Sequence, residues 1–324
     1  MQISVIGCGR WGSLIAWYLD RIGHSVTLYG RAGSPHFQAF LQTRKNAVLE
    51  LSEGIELTSD LSKVCQSKTI LISVPSQKLR GLFQEMHALD LHEKDIVLCM
   101  KGLEEGSGKR LSEIAGEELP PDHRVAVWLG PGHVQEFLAG VPNCMVIDSR
   151  HSDLKKELIH AFSGKLIRFY YGEDLIGNEV GAATKNVIGI AAGILDGLHL
   201  STLKGALMSR GTHEIAALIG AMGGNPFSAY GLCHLGDYEA TVFSPYSHNR
   251  AFGESIALAR PYTSLAEGYA TAAAVMVLAE KYRVELPICR AVYRILYQNA
   301  KPEQEIENLF NRSLKREWNS KKEF

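Results

Sequence analysis

The stretch Gly7-Cys8-Gly9-Arg10-Trp11-Gly12 constrains this chain more than any other, because of what flanks it. Before it, Met1-Gln2-Ile3-Ser4-Val5-Ile6 alternates polar and apolar residues, the period of a strand. After it, Ser13 to Ile22 carries Leu14, Ala16, Trp17 and Ile22 at helical spacing, and Gly23 ends the segment. Ser25-Val26-Thr27-Leu28-Tyr29 then reads as a second strand. A G-x-G-x-x-G turn between strand and helix suits a dinucleotide. Gly7 permits the tight turn, Gly9 lets the backbone approach a pyrophosphate, and Gly12 lets the helix pack close to the sheet. A glycine-rich turn with no ligand is the alternative, and the strand–turn–helix context favours the ligand.

The end of the second strand bears on which dinucleotide. An NAD site usually places Asp or Glu there for the ribose hydroxyls, whereas Arg suits a 2′-phosphate. This chain has Tyr29-Gly30-Arg31 and no acid until Glu50. Gly30 leaves room, and Arg31 can pair with the phosphate or stack on the adenine. NADP(H) is therefore the preferred cofactor and NAD(H) the alternative. A solvated surface arginine is the competing account of Arg31.

At 324 residues the chain is long enough for two domains. A net charge of −1 gives no reason to expect a nucleic acid or an acidic membrane as partner. The six cysteines are scattered with no C-x-x-C pair, and no metal site is expected. With a strand already under way at residue 2, where a signal peptide would lie, this usage points to a reduced, cytoplasmic protein. The most apolar stretch, Val180 to Leu195, is interrupted by Lys185 and Asn186 and is too short to span a bilayer, so no stable membrane insertion is expected.

Strand-like runs recur at Thr69–Val74, Asp95–Cys99, Arg124–Trp128, Cys144–Ile147 and Leu166–Tyr171, with helix-compatible segments such as Gln77–Leu89 and Lys109–Glu118 between several of them; Ala32 to Asp60 reads as mixed and polar. Alternation of this kind implies an α/β fold with a doubly wound, mostly parallel Rossmann-type sheet. Ligands of such sheets bind beyond the carboxyl ends of the strands, which puts Pro75-Ser76, Lys101-Gly102 and Gly130-Pro131-Gly132 beside the glycine turn. From Gly177 the strand runs stop. Helical pattern rich in Gly and Ala takes over at Asn178–Leu195, Ser201–Met222, Pro261–Tyr282, Ile288–Gln298 and Glu303–Arg316. The expected division is a dinucleotide-binding domain at 1–175 and an all-helical substrate and catalytic domain at 176–324. The small residues suit close helix packing or a subunit contact such as a homodimer's. Residues 317–324 are polar and expected to fray.

Lys185 is the most unusual residue of the second half. It sits in Gly181-Ala182-Ala183-Thr184-Lys185-Asn186-Val187-Ile188-Gly189-Ile190, otherwise almost free of charge. A lysine inside an apolar helix is costly unless paired, and burial lowers its pKa toward the range useful for proton transfer. A stem that snorkels to the surface is the alternative. Asp237, in Gly236-Asp237-Tyr238-Glu239-Ala240-Thr241, can orient that lysine or be a plain turn residue. Ser247-His248-Asn249-Arg250 offers several donors suited to a phosphate oxyanion, or is a polar loop. Glu267 is a lone acid near a helix start, where a first-turn charge is ordinary.

The order of these features changes their weight. The glycine turn, Lys101-Gly102-Leu103, Gly130-Pro131, Lys185-Asn186, Gly236-Asp237 with Thr241, Ser247-x-Asn249-Arg250-x-Phe252-Gly253, Glu267-Gly268 and Leu286-Pro287-Ile288 together resemble the bacterial-type glycerol-3-phosphate dehydrogenases, from Gly7 to about Tyr297. The resemblance implies reduction of dihydroxyacetone phosphate to sn-glycerol 3-phosphate, feeding glycerophospholipid synthesis. It implies that Lys185 is the catalytic lysine, with Asp237 and Lys101 beside it, and that Lys101, Gly130, Gly132, Asp237, Ser247, His248, Asn249 and Arg250 line the substrate site. Cofactor contacts are implied at Arg10, Trp11, Arg31, Lys101, Val134, Leu265 and Glu267. Two departures stand out. The family's Gly-Pro-(Ser/Thr)-Phe-Ala reads Gly130-Pro131-Gly132-His133-Val134 here, without the hydroxyl, and its Ser-Arg-Asn-Arg reads Ser247-His248-Asn249-Arg250. The first arginine of that motif is the one expected to grip the phosphate, and an imidazole cannot make its bidentate pair. Arg250 and protonated His248 are the residues left to supply that grip. A dehydrogenase of the same fold acting on another small hydroxy compound is the rival reading; a non-catalytic NAD(P)-binding sensor is the other, and it would need neither Lys185 nor Asp237.

Overall fold

Eight strands assemble into one sheet: β1 (Gln2–Ile6), β2 (Ser25–Tyr29), β3 (Glu56–Thr58), β4 (Thr69–Ile72), β5 (Asp95–Leu98), β6 (Arg124–Leu129), β7 (Asn143–Ser149) and β8 (Ile167–Tyr171). The structure, a computed structural model, describes residues 1–89, 91–314 and 316–317; the fraying expected for the terminus falls largely outside them. The strand order is β3-β2-β1-β4-β5-β6-β7-β8. Every pair is parallel except β6 with β7. The chain winds outward from β1 to β3, then returns to start again at β4 on the other side of β1. That reversal is the switch point at which doubly wound sheets bind ligands.

Packing divides the chain into two units, Met1–Met100 with Leu111–Leu175, and Lys101–Arg110 with Ile176–Phe324. The first holds the sheet and helices α1 (Arg10–Arg21), α2 (Pro35–Thr43), α3 (Leu61–Val64), α4 (Leu79–His87), α5 (Leu111–Glu118), α6 (Val134–Leu138) and α7 (Ser152–Phe162). Ile3, Val5, Leu28, Leu71, Val97 and Ala126 meet Leu14, Ile15 and Leu19 of α1 in its core. Each such aliphatic side chain contributes about 1.5–3 kcal/mol on burial. The polar segment 32–60 holds more structure than its composition promised, namely α2 and β3. A three-residue edge strand is too short to display a period.

The second unit is helical: α8 (Leu175–Gly197), α9 (Lys204–Ala221), α10 (His248–Ala257), α11 (Gly268–Tyr282), α12 (Pro287–Tyr297) and α13 (Pro302–Phe310). Residues 101–110, expected in the first domain, pack here instead. Leu103 lies in the helical core, and Arg110 forms a buried ion pair with Glu179 of α8 at 2.6 Å. One apolar residue and one ion pair leave no pattern for a sequence to show. The Gly-rich texture has a definite use where α8 crosses α10. A Cβ on Gly193 would fall 1.8 Å from the Arg250 carbonyl oxygen, and one on Gly253 2.0 Å from that of Ile190. The backbones touch. Ser247 caps α10 by accepting from the Arg250 N–H, so this motif opens a helix rather than a polar loop. The expected helix over 261–282 begins only at Gly268, and the expected last helix ends at Phe310. Among the described residues no helix is long and apolar enough to cross a membrane.

Candidate active site

The glycine turn is a backbone construction. Gly7 has φ +112°, and a Cβ on it would meet the Ser73 carbonyl oxygen at 2.1 Å; a Cβ on Gly12 would lie 1.9 Å from the Gly7 oxygen. Neither position accepts a side chain. Gly9, at the N-cap of α1, has open space on its Cβ side, and Arg10 and Trp11 begin the helix. An open backbone concavity at the N-terminus of a twelve-residue helix fits a pyrophosphate, whose charge the unsatisfied N–H groups attract. Trp11 packs tilted against Phe137, ring centroids 6.2 Å apart.

Two further glycines of this unit decide what their neighbourhoods can hold. On the Cβ side of Gly30 the Phe37 ring lies 2.5 Å away and the Cys8 sulfur 2.7 Å away, so the room inferred from sequence is filled. Its consequence is exclusion, because no carboxylate can stand at the end of β2. Exposed Arg31 follows directly. After β6, Gly130 and Gly132 have φ +128° and +143°, and a Cβ on Gly132 would lie 2.4 Å from the Phe137 ring. The hydroxyl missing at Gly132 is therefore a position packed shut by Phe137. Val134 is buried at the start of α6.

In the second unit α8 presents Lys185, 7 % exposed, amid Val180, Ala183, Val187 and Ile190. Its Nζ lies 2.9 Å from Asp237 Oδ2 and donates to Thr241 Oγ1 at 2.6 Å. Lys101 Nζ reaches the same Oδ2 at 2.6 Å. One carboxylate oxygen thus faces two ammonium groups, while Oδ1 of this buried aspartate has no hydrogen-bond partner among the described residues. Burial lowers the Lys185 pKa to about 8; the Asp237 charge works against that shift and the Lys101 charge adds to it. Asp237 ends a short 3₁₀ turn, Leu235–Asp237, and a π turn, Glu239–Phe243, brings Thr241 back toward it. The Thr241 hydroxyl donates to the Asp237 carbonyl at 2.7 Å, which leaves its lone pairs for Lys185.

Asparagines join this cluster to α10 and α11. Asn186 donates to the Lys101 carbonyl at 3.4 Å, Asn249 donates to Asn186 Oδ1 at 3.0 Å, and the Gly268 N–H donates to Asn249 Oδ1 at 2.9 Å. Lys101, Lys185, Asp237 and Asn249 are thus brought together. Ser247 is spent on its cap, and His248 beside it holds the Tyr262 hydroxyl at 2.8 Å through Nδ1. Arg250 does not stand free for a phosphate. Its guanidinium bonds Asp196 at 2.7 Å, the Ser244 carbonyl at 3.2 Å and Glu254 at 3.4 Å. Asp196 also accepts from Lys204 at 2.6 Å and Ser201 at 2.7 Å. Arg250 therefore anchors α10 to the end of α8. Sequence reading missed this, although Asp196 lies three helical turns beyond Lys185 on the same largely apolar helix and was visible as a further charge there. Glu267 precedes α11 and accepts the Thr271 hydroxyl through its carbonyl, and Leu265 is exposed.

A pyrophosphate cradle on a doubly wound sheet and a buried lysine–aspartate pair in a helical unit define a dinucleotide-dependent dehydrogenase. Comparison narrows the class. Residues 2–155 match the family model for the NAD-dependent glycerol-3-phosphate dehydrogenase N-terminus, and residues 174–307 match that for its C-terminus. The chain is 34% identical over 333 residues to a glycerol-3-phosphate dehydrogenase [NAD(P)+] of Prosthecochloris aestuarii, covering 98% of this chain and 100% of that one. A Thermoanaerobacter enzyme of the same name is 32% identical over 329 residues, covering 98% of this chain and 99% of that one. The crystal structure of the Coxiella burnetii glycerol-3-phosphate dehydrogenase superposes with a TM-score of 0.89 at 31% identity, covering 96% of this chain and 99% of that one. The chain belongs to the NAD-dependent glycerol-3-phosphate dehydrogenase family.

Proposed function

We propose that this protein reduces dihydroxyacetone phosphate to sn-glycerol 3-phosphate, reversibly, with NADP(H) preferred over NAD(H). The observation that carries the reading is the buried pair Lys185 and Asp237, with half-buried Lys101 on the same carboxylate oxygen. A nicotinamide dinucleotide, when bound, supplies or takes up the hydride. Lys185 supplies the matching proton: as an ammonium it donates to the oxygen of the carbonyl being reduced, and as an amine it takes the hydroxyl proton back in the reverse direction. Asp237 and Thr241 hold Nζ in place, and Lys101 adds positive charge where the oxygen becomes negative. Asp237 Oδ1 is the acceptor left over for a substrate hydroxyl. Exclusion of a carboxylate at Gly30, with Arg31 next to it, supports the NADP(H) preference. Six cysteines scattered along the chain with no C-x-x-C spacing suit a reducing cytoplasm.

The experiment is an assay of the purified protein for NADPH and NADH oxidation across phosphorylated and unphosphorylated ketones, in wild type and Arg31→Ala. Turnover of dihydroxyacetone phosphate with a NADPH preference that Arg31→Ala abolishes is the expected result. Only the ammonium form of Lys185 donates, so reductive kcat falls as pH rises through about 8, and the oxidative rate climbs over the same range. Turnover confined to unphosphorylated ketones would favour another substrate, a reading to which His248 at the phosphate position lends weight.

A further inference from the structure

Behind the lysine–aspartate pair lies a buried polar pair that the reaction itself does not use. His234 and Tyr238 are both fully buried, and the Tyr238 hydroxyl lies 2.7 Å from His234 Nε2. His234 Nδ1 lies 2.9 Å from the Gly181 carbonyl oxygen of α8. A carbonyl only accepts, so the proton resides on Nδ1, and Nε2 must accept from the tyrosine. Burial agrees with a neutral ring, lowering the His234 pKa to about 4.

The pair brackets Asp237. The Asp237 N–H donates to the His234 carbonyl at 3.0 Å, and the Tyr238 carbonyl accepts from the N–H groups of Thr241 and Val242 at 3.0 and 2.7 Å. Both groups that hold Lys185 Nζ, the Asp237 carboxylate and the Thr241 hydroxyl, therefore hang from a turn whose two ends are the bonded side chains. The turn is fastened to α8 at Gly181, one helical turn before Lys185. It also touches α9, where Thr212 Oγ1 lies 3.5 Å from the Tyr238 hydroxyl. Gly181 permits the approach, since a Cβ there would lie 3.1 Å from His234 Cβ.

We propose that His234 and Tyr238 are positioning residues: their hydrogen bond, carried through to the Gly181 carbonyl, fixes the Asp237–Thr241 turn against α8 and so sets the Lys185–Asp237 distance. This rests on the dehydrogenase reading of Lys185. A buried hydrogen bond is directional where apolar packing is not, which is what a fixed proton donor requires.

The test is Tyr238→Phe beside the double variant His234→Leu/Tyr238→Phe. The single change leaves the His234 Nε2 acceptor buried and unpaired, costing stability, whereas the double change removes both partners and restores most of it. A positioning role predicts kcat about ten- to a hundredfold lower in both variants with KM for dihydroxyacetone phosphate unchanged, because misplacement of about 1 Å costs that much. Wild-type kcat in Tyr238→Phe, recovery of kcat along with melting temperature in the double variant, or a loss confined to KM would each overturn it. A crystal structure of Tyr238→Phe separates this inference from the substrate assignment. The Lys185–Asp237 pair opens beyond hydrogen-bonding reach whichever ketone is reduced, and retention of the 2.9 Å contact refutes the positioning role.

Discussion

The two units make their binding surfaces by opposite means. In the sheet unit the cradle is backbone, and its key positions are those where a side chain is forbidden: Gly7, Gly12, Gly30 and Gly132 each have another atom where a Cβ would go. In the helical unit the site is side chains, and its positions matter because charged groups are buried or half-buried and paired there: Lys185 and Lys101 on Asp237, Arg110 on Glu179, Arg250 and Lys204 on Asp196. A common ligand part such as a pyrophosphate needs only N–H groups and space. Proton transfer needs a titratable group of tuned pKa, and tuning requires burial with a partner.

Removing the tuned group is the strongest way to test that contrast. Lys185→Ala is expected to lower kcat by about 10²–10⁴-fold while NADPH affinity, measured by fluorescence titration, stays at the wild-type value. A large loss of cofactor affinity would mean the units do not divide the labour as described. Next in size is His248. Arg250 is paired with Asp196, and if His248 meets the substrate phosphate as the proposed reading has it, an imidazole stands in for a guanidinium, and loss of a charge-assisted hydrogen bond costs about 1.5–3 kcal/mol. KM for dihydroxyacetone phosphate should therefore be high in wild type. His248→Arg should lower it about ten- to a hundredfold. A low KM in wild type, unmoved by His248→Arg, would show that another group holds the phosphate.

Gly132→Ser probes the backbone side. It restores the family's hydroxyl, yet its Cβ meets Phe137, so the variant should lose about 1–3 kcal/mol of stability and gain no substrate affinity; improved KM with an unchanged melting temperature would contradict the packing account. The smallest effect concerns Glu214, a buried carboxylate used only as a brace. It accepts the Ile288 and Cys289 N–H groups at 2.9 and 2.8 Å at the start of α12, and burial raises its pKa from 4.5 to about 7. The folded state then binds the extra proton between those values, so stability is greatest at the acidic end and falls as pH rises through that window. Glu214→Gln should flatten the change in melting temperature between pH 5 and 7.5 with kcat untouched. An unaltered slope would rule out Glu214 as its source.

How legible each region was follows from the same contrast. The cradle was readable because glycine, strand period and helix period are local signals within thirty residues. Lys185 was readable as an anomaly, a charge in an apolar helix, and Asp237 as a turn acid whose partnership stayed open. The Arg250 ion pair was not readable, since its sequence neighbours suggest a phosphate site while Asp196 lies fifty-four positions away. His234 and Tyr238 gave no signal, being ordinary interior residues at i and i+4.

What the sequence determined alone was therefore most of the strands and the longer helices, their α/β-then-helical succession, the dinucleotide turn and a lysine out of place in an apolar helix. These follow from backbone sterics and hydrophobic period, which act over a few residues. Only the tertiary structure decided that residues 101–110 join the helices, that Gly30 and Gly132 are closed by Phe37 and Phe137, and that one carboxylate oxygen serves two lysines. Those outcomes depend on which atoms occupy the same few cubic ångströms, and side chains distant in sequence are assigned there by packing, not by any local preference.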